Sequence, residues 1–307
     1  MLTPRIAILI PCFNEASSIA SVIKGFISAV PHAQIYVYNN NSTDKTDEIA
    51  KAAGAVVRHE SRQGKGFVVC RMFADIEADV YVLVDGDGTY DSSAASLAIS
   101  LLSSQQLDFV NLARDSTARE SYRAFHQFGN KLFSGIVAML FSDQIRDMLS
   151  GYKVFSRRFV KTFPRTSRGF EIETQLVIHA LQMDMPIGEI NSKYGSRPTG
   201  SPSKLNTLRD GMRILLTIGR LVVSERPRLV FGLASLTLGS LCVALGWPVL
   251  AEFLESGLVS KLPTWVTVIG LGIASVLSLF AGLLLHAVST SRRETRRLHY
   301  LSIPLWQ

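Results

Sequence analysis

The chain has 307 residues, with 32 Lys and Arg against 25 Asp and Glu, for a formal net charge of +7. Hydrophobic residues make up 47% and charged residues 19%, and the mean hydropathy is +0.23. This excludes a disordered chain, which needs low hydrophobicity and high charge. It also argues against a purely soluble enzyme, whose charged share is about 25%.

Residues 1–5 run straight into a strand-like segment, so no signal peptide is expected. From residue 5 to about 112, short β-branched runs alternate with longer helical patterns. Strands are expected over 5–10, 34–38, 55–59, 80–84 and 108–112, and helices over segments such as 17–30 and 43–53. Such alternation implies an α/β domain with a mostly parallel sheet covered by helices on both faces. Ligands of such sheets bind outside the carboxyl ends of the strands. That rule selects 11–15, 39–44, 60–66 and 85–91, and the polar residues cluster there. Cys12, Cys70 and Cys242 have neither metal nor disulfide spacing and read as small buried hydrophobes in a reducing compartment.

Each strand end has its own chemistry. Asp85-Gly-Asp87 follows an apolar strand, and two carboxylates bracketing a glycine repel one another unless a cation lies beside them. Hard oxygen ligands of this kind suit Mg²⁺ or Mn²⁺, which complete their shells with substrate phosphates and water. A polar turn uses the same residue types, and Asp91 can cap the next helix. In the run Asn39-Asn40-Asn41-Ser42-Thr43-Asp44, one of the last three residues can cap a helix. Three asparagines exceed that need, and their amides can read a nucleobase edge or a ribose. Arg62-Gln-Gly-Lys-Gly66 suits phosphate, because backbone N–H groups and Lys65 can face one anion. It lacks P-loop spacing, and no GxGxxG follows the first strand, which disfavours a Walker ATPase and a dinucleotide dehydrogenase.

Further along, 125–149 contains an apolar helix whose default role is core packing, with an interfacial position near a lipid entrance as the alternative. Segment 208–223 reads as an amphipathic surface helix. Residues 204–228 hold six basic and two acidic side chains, and such a patch attracts anionic headgroups. The charge tracks the membrane ends, so nucleic acid is not expected as a partner. Residues 229–251 and 262–291 are free of charge, and each exceeds the roughly 20 residues needed to span about 30 Å of hydrocarbon. Trp247, Trp265 and Trp306 lie near the proposed membrane ends, where indoles prefer to sit. Arg226 and Arg228 precede the first stretch and Arg292, Arg293, Arg296 and Arg297 follow the second, while the connector holds Glu252, Glu255 and Lys261. The positive-inside rule places both flanks and the N-terminal part in the cytoplasm. The expected division is a catalytic domain over 1–205, a juxtamembrane helix over 206–228, spans over 229–251 and 263–288, a connector over 252–262, and a basic tail over 289–307.

Taken together, Pro11-Cys-Phe-Asn-Glu15, Asn41-Ser-Thr-Asp44 and Asp85-Gly-Asp87 resemble a family 2 glycosyltransferase of the GT-A fold. Asp147-Met-Leu-Ser-Gly-Tyr-Lys153, Gly169-Phe-Glu-Ile-Glu173 and Arg197-Pro-Thr-Gly-Ser-Pro-Ser-Lys204 are similar to the membrane-anchored polyprenyl-phosphate glycosyltransferases. The resemblance covers about residues 4–210. It implies that Pro11, Asn14 and Glu15 line the nucleotide pocket, with Asn40 and Asn41 beside base and ribose; Lys65, from the composition of its loop, joins the expected donor contacts. It further implies that Asp85 and Asp87 hold the metal, and that Arg197, Ser203 and Lys204 face phosphates on a closing loop. Asp87, Arg197 and Lys204 are then the catalytic set. Most relatives carry Asp-Asp-Gly where this chain has Asn39-Asn40-Asn41, and the loop has one extra residue between Gly200 and Ser203.

The implied reaction moves a sugar from a nucleoside diphosphate to a polyprenyl phosphate with inversion at the anomeric carbon. The acceptor is already ionised, so no strong base is required, although Asp147, Glu171 and Glu173 are available carboxylates. Two other readings stay open: a glycolipid synthase using an acceptor hydroxyl and a general base, and a non-enzymatic nucleotide-sugar sensor or recruiting subunit. Membrane lipid, a separate flippase and a second copy of the chain are the other expected partners.

Overall fold

The computed structural model describes residues 4–115, 145–164, 172–195, 219, 222–223, 226–258 and 261–304. The first part alternates strands and helices: β1 (Ile6–Cys12), α1 (Ile19–Ala29), β2 (Gln34–Asn39), α2 (Thr46–Ala52), β3 (Val56–His59), α3 (Lys65–Asp75), β4 (Val80–Leu83), α4 (Ala94–Ser104) and β5 (Phe109–Asp115). Then follow β6 (Lys153–Ser156), α5 (Arg157–Thr162), α6 (Ile172–Gln182), β7 (Ile187–Lys193), α7 (Pro227–Ser256) and α8 (Leu262–Ser302). All five strands expected from the sequence are present, with no end displaced by more than three residues.

The strands form one sheet in the order β3-β2-β1-β4-β6-β5-β7. β1 pairs in parallel with β2 and β4, β2 with β3, and β5 with β7, whereas β6 runs antiparallel between β4 and β5. Strands buried on both faces read as continuous apolar runs, and Ile8, Leu9, Ile10, Val80, Tyr81 and Val82 are all fully buried. α1 and α4 present Ile19, Ile23, Phe26, Ala95, Ala98 and Leu102 to the same core. Near β6, Phe109, Phe155 and Phe159 stack with centroids 4.4–5.6 Å apart. Because β4 and β1 are parallel, their carboxyl ends and that of β2 open side by side.

The chain divides into two compact units, Met1–Ile214 with Arg296–Gln307, and Leu215–Thr295. Within the first unit, the tail residues dock onto the sheet. Asp108 is almost fully buried and accepts hydrogen bonds from Ser156 Oγ and, at 2.5 Å, from Tyr300 Oη. The Arg158 guanidinium lies 5.2 Å from the centroid of the Tyr300 ring, and Arg297 pairs with Asp184 at 3.2 Å. Removing one donor from a buried carboxylate costs about 1–3 kcal/mol. Tyr300→Phe is therefore expected to lower the thermal midpoint, and Ser156→Ala should do likewise; unchanged melting of both variants would show that this bond contributes nothing.

In the second unit, α7 opens with Pro227 at its first turn and ends at Gly257, whose φ of 69° makes the left-handed cap that glycine favours. Pro248 is accommodated inside the helix. Small side chains line its packing against the apolar part of α8: Ser235 and Ser275 share a 3.1 Å hydrogen bond, and Cys242 Sγ donates to Val268 O at 3.3 Å. A Cβ added to Gly246 would sit 3.0 Å from Val268. Close approach over Gly and Ser is how helices associate where lipid replaces the hydrophobic drive. Leu236, Val243, Leu277 and Leu284 remain about two-thirds exposed. α7 and α8 are both long and apolar enough to cross a membrane. α8 does not stop at residue 288: it continues through the arginine-rich stretch to Ser302, because Arg, Glu, Leu and Thr carry no helix-breaking feature there.

Candidate active site

The loops after β1 and β2 are sewn together. Asn14 Oδ1 accepts from Thr43 N at 2.7 Å, and Asn14 N donates to Ser42 Oγ at 2.9 Å. Glu15 N donates to Thr46 Oγ1 at 2.9 Å, and Ala16 N to Asp44 Oδ2 at 3.1 Å. Burial pushes the Asp44 carboxyl up, but its bonds from Thr46 and Ala16 outweigh this and hold it below the usual carboxylate value. Asn14 and Asn41 have φ of 52° and 63°, in the left-handed region that asparagine tolerates better than most L residues. This explains why Asn41 can stand where the resemblance leads one to expect glycine.

The asparagine run serves three different purposes. Asn39 accepts from Ser42 N and donates to Asp47, shaping the approach to α2. Asn40 is a staple: its Nδ2 donates to Glu60 O and Arg62 O, both at 2.8 Å, and its Oδ1 accepts from Gly64 N at 2.7 Å. An amide so committed fixes the 60–64 loop. Asn41 Nδ2 donates to Ser61 O and Gln63 Oε1, and its residue is exposed. By holding Gly64, whose φ is 139°, Asn40 sets the start of α3 and thus the place of Lys65.

Asp85-Gly-Asp87 follows β4. Ser18 Oγ donates to Gly86 O at 2.7 Å, and a Cβ on Gly86 would come within 2.7 Å of Cys12 Sγ. Asp87 is buried and accepts from Thr89 N at 3.1 Å and Thr89 Oγ1 at 2.6 Å. Gly151 packs directly on Asp85: a Cβ there would overlap Asp85 Oδ2. Gly151 N donates to Tyr90 Oη at 2.7 Å. Gly151→Ala is therefore expected to displace the Asp85 carboxylate. Transfer should fall by about tenfold or more, since misplacing such a group by an ångström costs up to 10²-fold, while melting changes little. Wild-type rates in this variant would show that the position of Asp85 is not critical.

Lys65, the first residue of α3, reaches Asp85 Oδ1 and Glu173 Oε1, the latter near the start of α6. Burial works against its charge, but two carboxylates on one ammonium raise its pKa well above the ordinary lysine value. Glu173, more deeply buried, is pushed up by desolvation despite Lys65. Nearby, Arg114 clasps Asp147 with two guanidinium bonds of 2.7 and 2.8 Å. Burial raises the Asp147 carboxyl, yet this clasp holds it below the usual value. Lys153 is fully buried and donates to Asn111 Oδ1 at 2.7 Å, and desolvation lowers its amine to about 8. Asn111 in turn donates to Glu189 and to Asp147 O.

Asp85 and Asp87 supply carboxylate oxygens on one loop, a donor set that fits a hard divalent cation sharing its shell with a diphosphate and water. Among the described residues no group of three or more His, Cys, Asp or Glu is placed to hold a metal by itself. Pro11, Asn14, Glu15, Asn40, Asn41, Lys65, Asp85 and Asp87 all stand at the carboxyl ends of β1, β2 and β4 or at the start of α3. Arg197, Ser203 and Lys204 lie outside the described residues, as do Glu171, Trp306, most of the 125–149 helix and most of the 208–223 helix. Gly195, two residues before Arg197, donates its N–H to Thr89 O at 2.8 Å, beside the Asp87 turn. Tyr90 and Arg114 have no signal in the sequence analysis, whereas Gly151 and Lys153 stand in the Asp147–Lys153 motif without a role assigned to them.

Comparison with known proteins agrees with this architecture. Residues 7–163 match the family described as glycosyl transferase family 2. The chain is 30% identical over 304 residues to the glycosyltransferase AglJ of Haloferax volcanii, covering 98% of this chain and all of that protein. It is 24% identical over 224 residues to a dolichyl-phosphate hexose transferase of the same organism, covering 73% of this chain and 96% of the relative. Its fold superposes on glucosyl-3-phosphoglycerate synthase from Mycobacterium tuberculosis, crystallised with Mn²⁺ and uridine-diphosphate-glucose, with a TM-score of 0.58 at 23% identity over 70% of this chain and 79% of the other. A sheet of this order with its polar cluster at the strand ends is the GT-A fold, and the chain belongs to glycosyl transferase family 2.

Proposed function

We propose that the protein moves a sugar from a nucleoside diphosphate to a polyprenyl phosphate, inverting the anomeric carbon, at the cytoplasmic face of a membrane spanned by α7 and α8. The observation that carries the donor half is the strand-end cluster, where Asp85 and Asp87 follow β4 and Lys65 contacts Asp85. Asp85 and Asp87 would hold Mg²⁺ or Mn²⁺, which neutralises charge on the departing diphosphate. Pro11, Asn14, Glu15 and Asn41 would border the nucleotide, with Asn40 fixing the loop beneath it. Arg197, Ser203 and Lys204 would take the acceptor phosphate.

The acceptor half draws support from two sides. The two long apolar helices suit a lipid substrate, and one relative is described as a dolichyl-phosphate hexose transferase. Local chemistry disfavours an acceptor hydroxyl. Such a reaction needs a base, and the two described candidates are both committed, Asp147 to Arg114 and Glu173 to Lys65. A lipid phosphate brings its own nucleophilic oxygen, and the protein has only to orient it in line with the sugar.

The acceptor is tested by supplying the purified full-length protein with a short polyprenyl phosphate or the matching polyprenol, at saturating donor and metal. Product from the phosphate alone is expected, with a rate that survives Asp147→Asn wherever that variant stays folded. Product from the polyprenol, or a rate that follows the titration of one carboxylate, would favour the hydroxyl reading instead.

A further inference from the structure

Lys65 occupies a place where a second cation is wanted. Its ammonium contacts the carboxylate of Asp85, at Oδ1, and the metal reading needs the same carboxylate, so the lysine and a divalent ion compete for one ligand. On the Gly151 side Asp85 has little room, since even a Cβ there would overlap its other oxygen, Oδ2. The lysine has somewhere else to stay: Glu173, 6% exposed, holds the same ammonium at 2.5 Å from the first turn of α6. An ammonium has three donors, and Asp85 and Glu173 use two of them.

Electrostatics point the same way. Asp85 and Glu173 bring two negative charges to the one ammonium of Lys65, and burial makes an unpaired carboxylate costly. With no donor bound, Lys65 keeps Asp85 and Glu173 satisfied. A divalent ion arriving with a diphosphate would take Asp85 as its ligand, and the N–H of Lys65 so released would be available to phosphate oxygens.

We propose that Lys65 is the resident counter-ion of the donor site, exchanged at Asp85 by the divalent cation of the incoming donor and retained by Glu173, which positions the ammonium against the diphosphate. This rests on Asp85 and Asp87 being the metal ligands. It makes the protein bind a bare divalent ion weakly, so that metal and nucleotide sugar enter as one unit. Glu173 is a positioning residue: it acts through Lys65.

The test is Mn²⁺ binding, without nucleotide, to the full-length protein in detergent, followed by the electron paramagnetic resonance signal of free Mn²⁺. Lys65→Met is expected to tighten Mn²⁺ by at least about tenfold, the order by which an opposite charge at contact distance biases a carboxylate. Lys65→Met combined with Glu173→Gln keeps the net charge of the site at its wild-type value and should tighten Mn²⁺ as well, which separates exchange at Asp85 from a general charge effect. It also covers the case in which the single variant fails to fold. Glu173→Gln alone leaves the ammonium entirely to Asp85 and should weaken Mn²⁺ several-fold, a loss that adding Lys65→Met reverses. If Asp85→Asn weakens Mn²⁺ but neither Lys65 variant tightens it, the exchange is wrong while the metal site stands. If Asp85→Asn and Asp87→Asn leave Mn²⁺ affinity unchanged in every background, both the exchange and the metal reading fall.

Discussion

Asp87→Asn protein is expected to keep its fold and to lose sugar transfer by about 10²–10³-fold, the usual cost of removing one group that stabilises charge in a transition state. The variant isolates charge from architecture. Asp87 Oδ1 accepts from Thr89 N and Thr89 Oγ1, and an asparagine oxygen can accept the same two bonds, so the turn after β4 keeps its shape. What disappears is the negative charge that would face a divalent ion. Asp85→Asn should lose a similar factor, and removing the metal with a chelator should mimic both until Mn²⁺ is restored. Rates measured beside melting curves decide it: a fall in rate with unchanged melting is expected, and near wild-type rates in both variants would dismiss the aspartates as metal ligands.

The second large effect is on stability. Arg114→Met should destabilise the first unit by roughly 3 kcal/mol, the lower end of the range for breaking a buried ion pair. The low end applies because the Arg114 and Asp147 side chains keep 17% and 13% of their surface. The loss comes from stranding the carboxylate more than from losing an attraction, so Arg114→Met combined with Asp147→Leu should recover much of it. The pH dependence has a definite sign. Asp147 in the folded protein titrates below its ordinary value of 3.8, so its contribution is complete above that value and is lost as the pH falls through the depressed one. In Arg114→Met the burial penalty is opposed only by the backbone N–H of residue 114 and by Lys153, so the protonated form is more favoured than in wild type. The gap between wild type and variant should therefore be widest near neutral pH and narrow on acidification below about 4. Denaturant titrations at several pH values measure it; a gap constant with pH would mean that the Asp147 charge is not what the arginine supports.

These residues also show what the sequence could and could not convey. β1, β2 and β4 were legible because parallel strands buried on both faces are written as unbroken apolar runs, and the polar residues after them mark where a ligand can sit. β6 was not legible. It has four residues, Lys153–Ser156, and begins with a lysine, which is almost never fully buried unless paired. Only the fold supplies the Asn111 oxygen that makes Lys153 tolerable there. Similarly, the protein partners of the Asn40 amide lie 20 to 24 residues ahead in a loop whose path no local pattern gives. The Lys65–Glu173 pair spans 108 residues. Motif spacing can nominate Glu173 as a carboxylate near the site, but whether it is a base or a lysine anchor depends on which cation the fold places beside it.

The most direct measurement is mass spectrometry of the lipids formed when purified full-length protein in detergent receives Mg²⁺ or Mn²⁺, a short polyprenyl phosphate and, in turn, each of a panel of nucleotide sugars. A lipid-linked sugar that requires the metal and is absent with Asp87→Ala is the expected result, and the donor that yields it names the sugar. Measurable nucleotide-sugar binding with no lipid-linked product from any donor would contradict polyprenyl-phosphate glycosyl transfer and turn attention to another acceptor or to a sensing role.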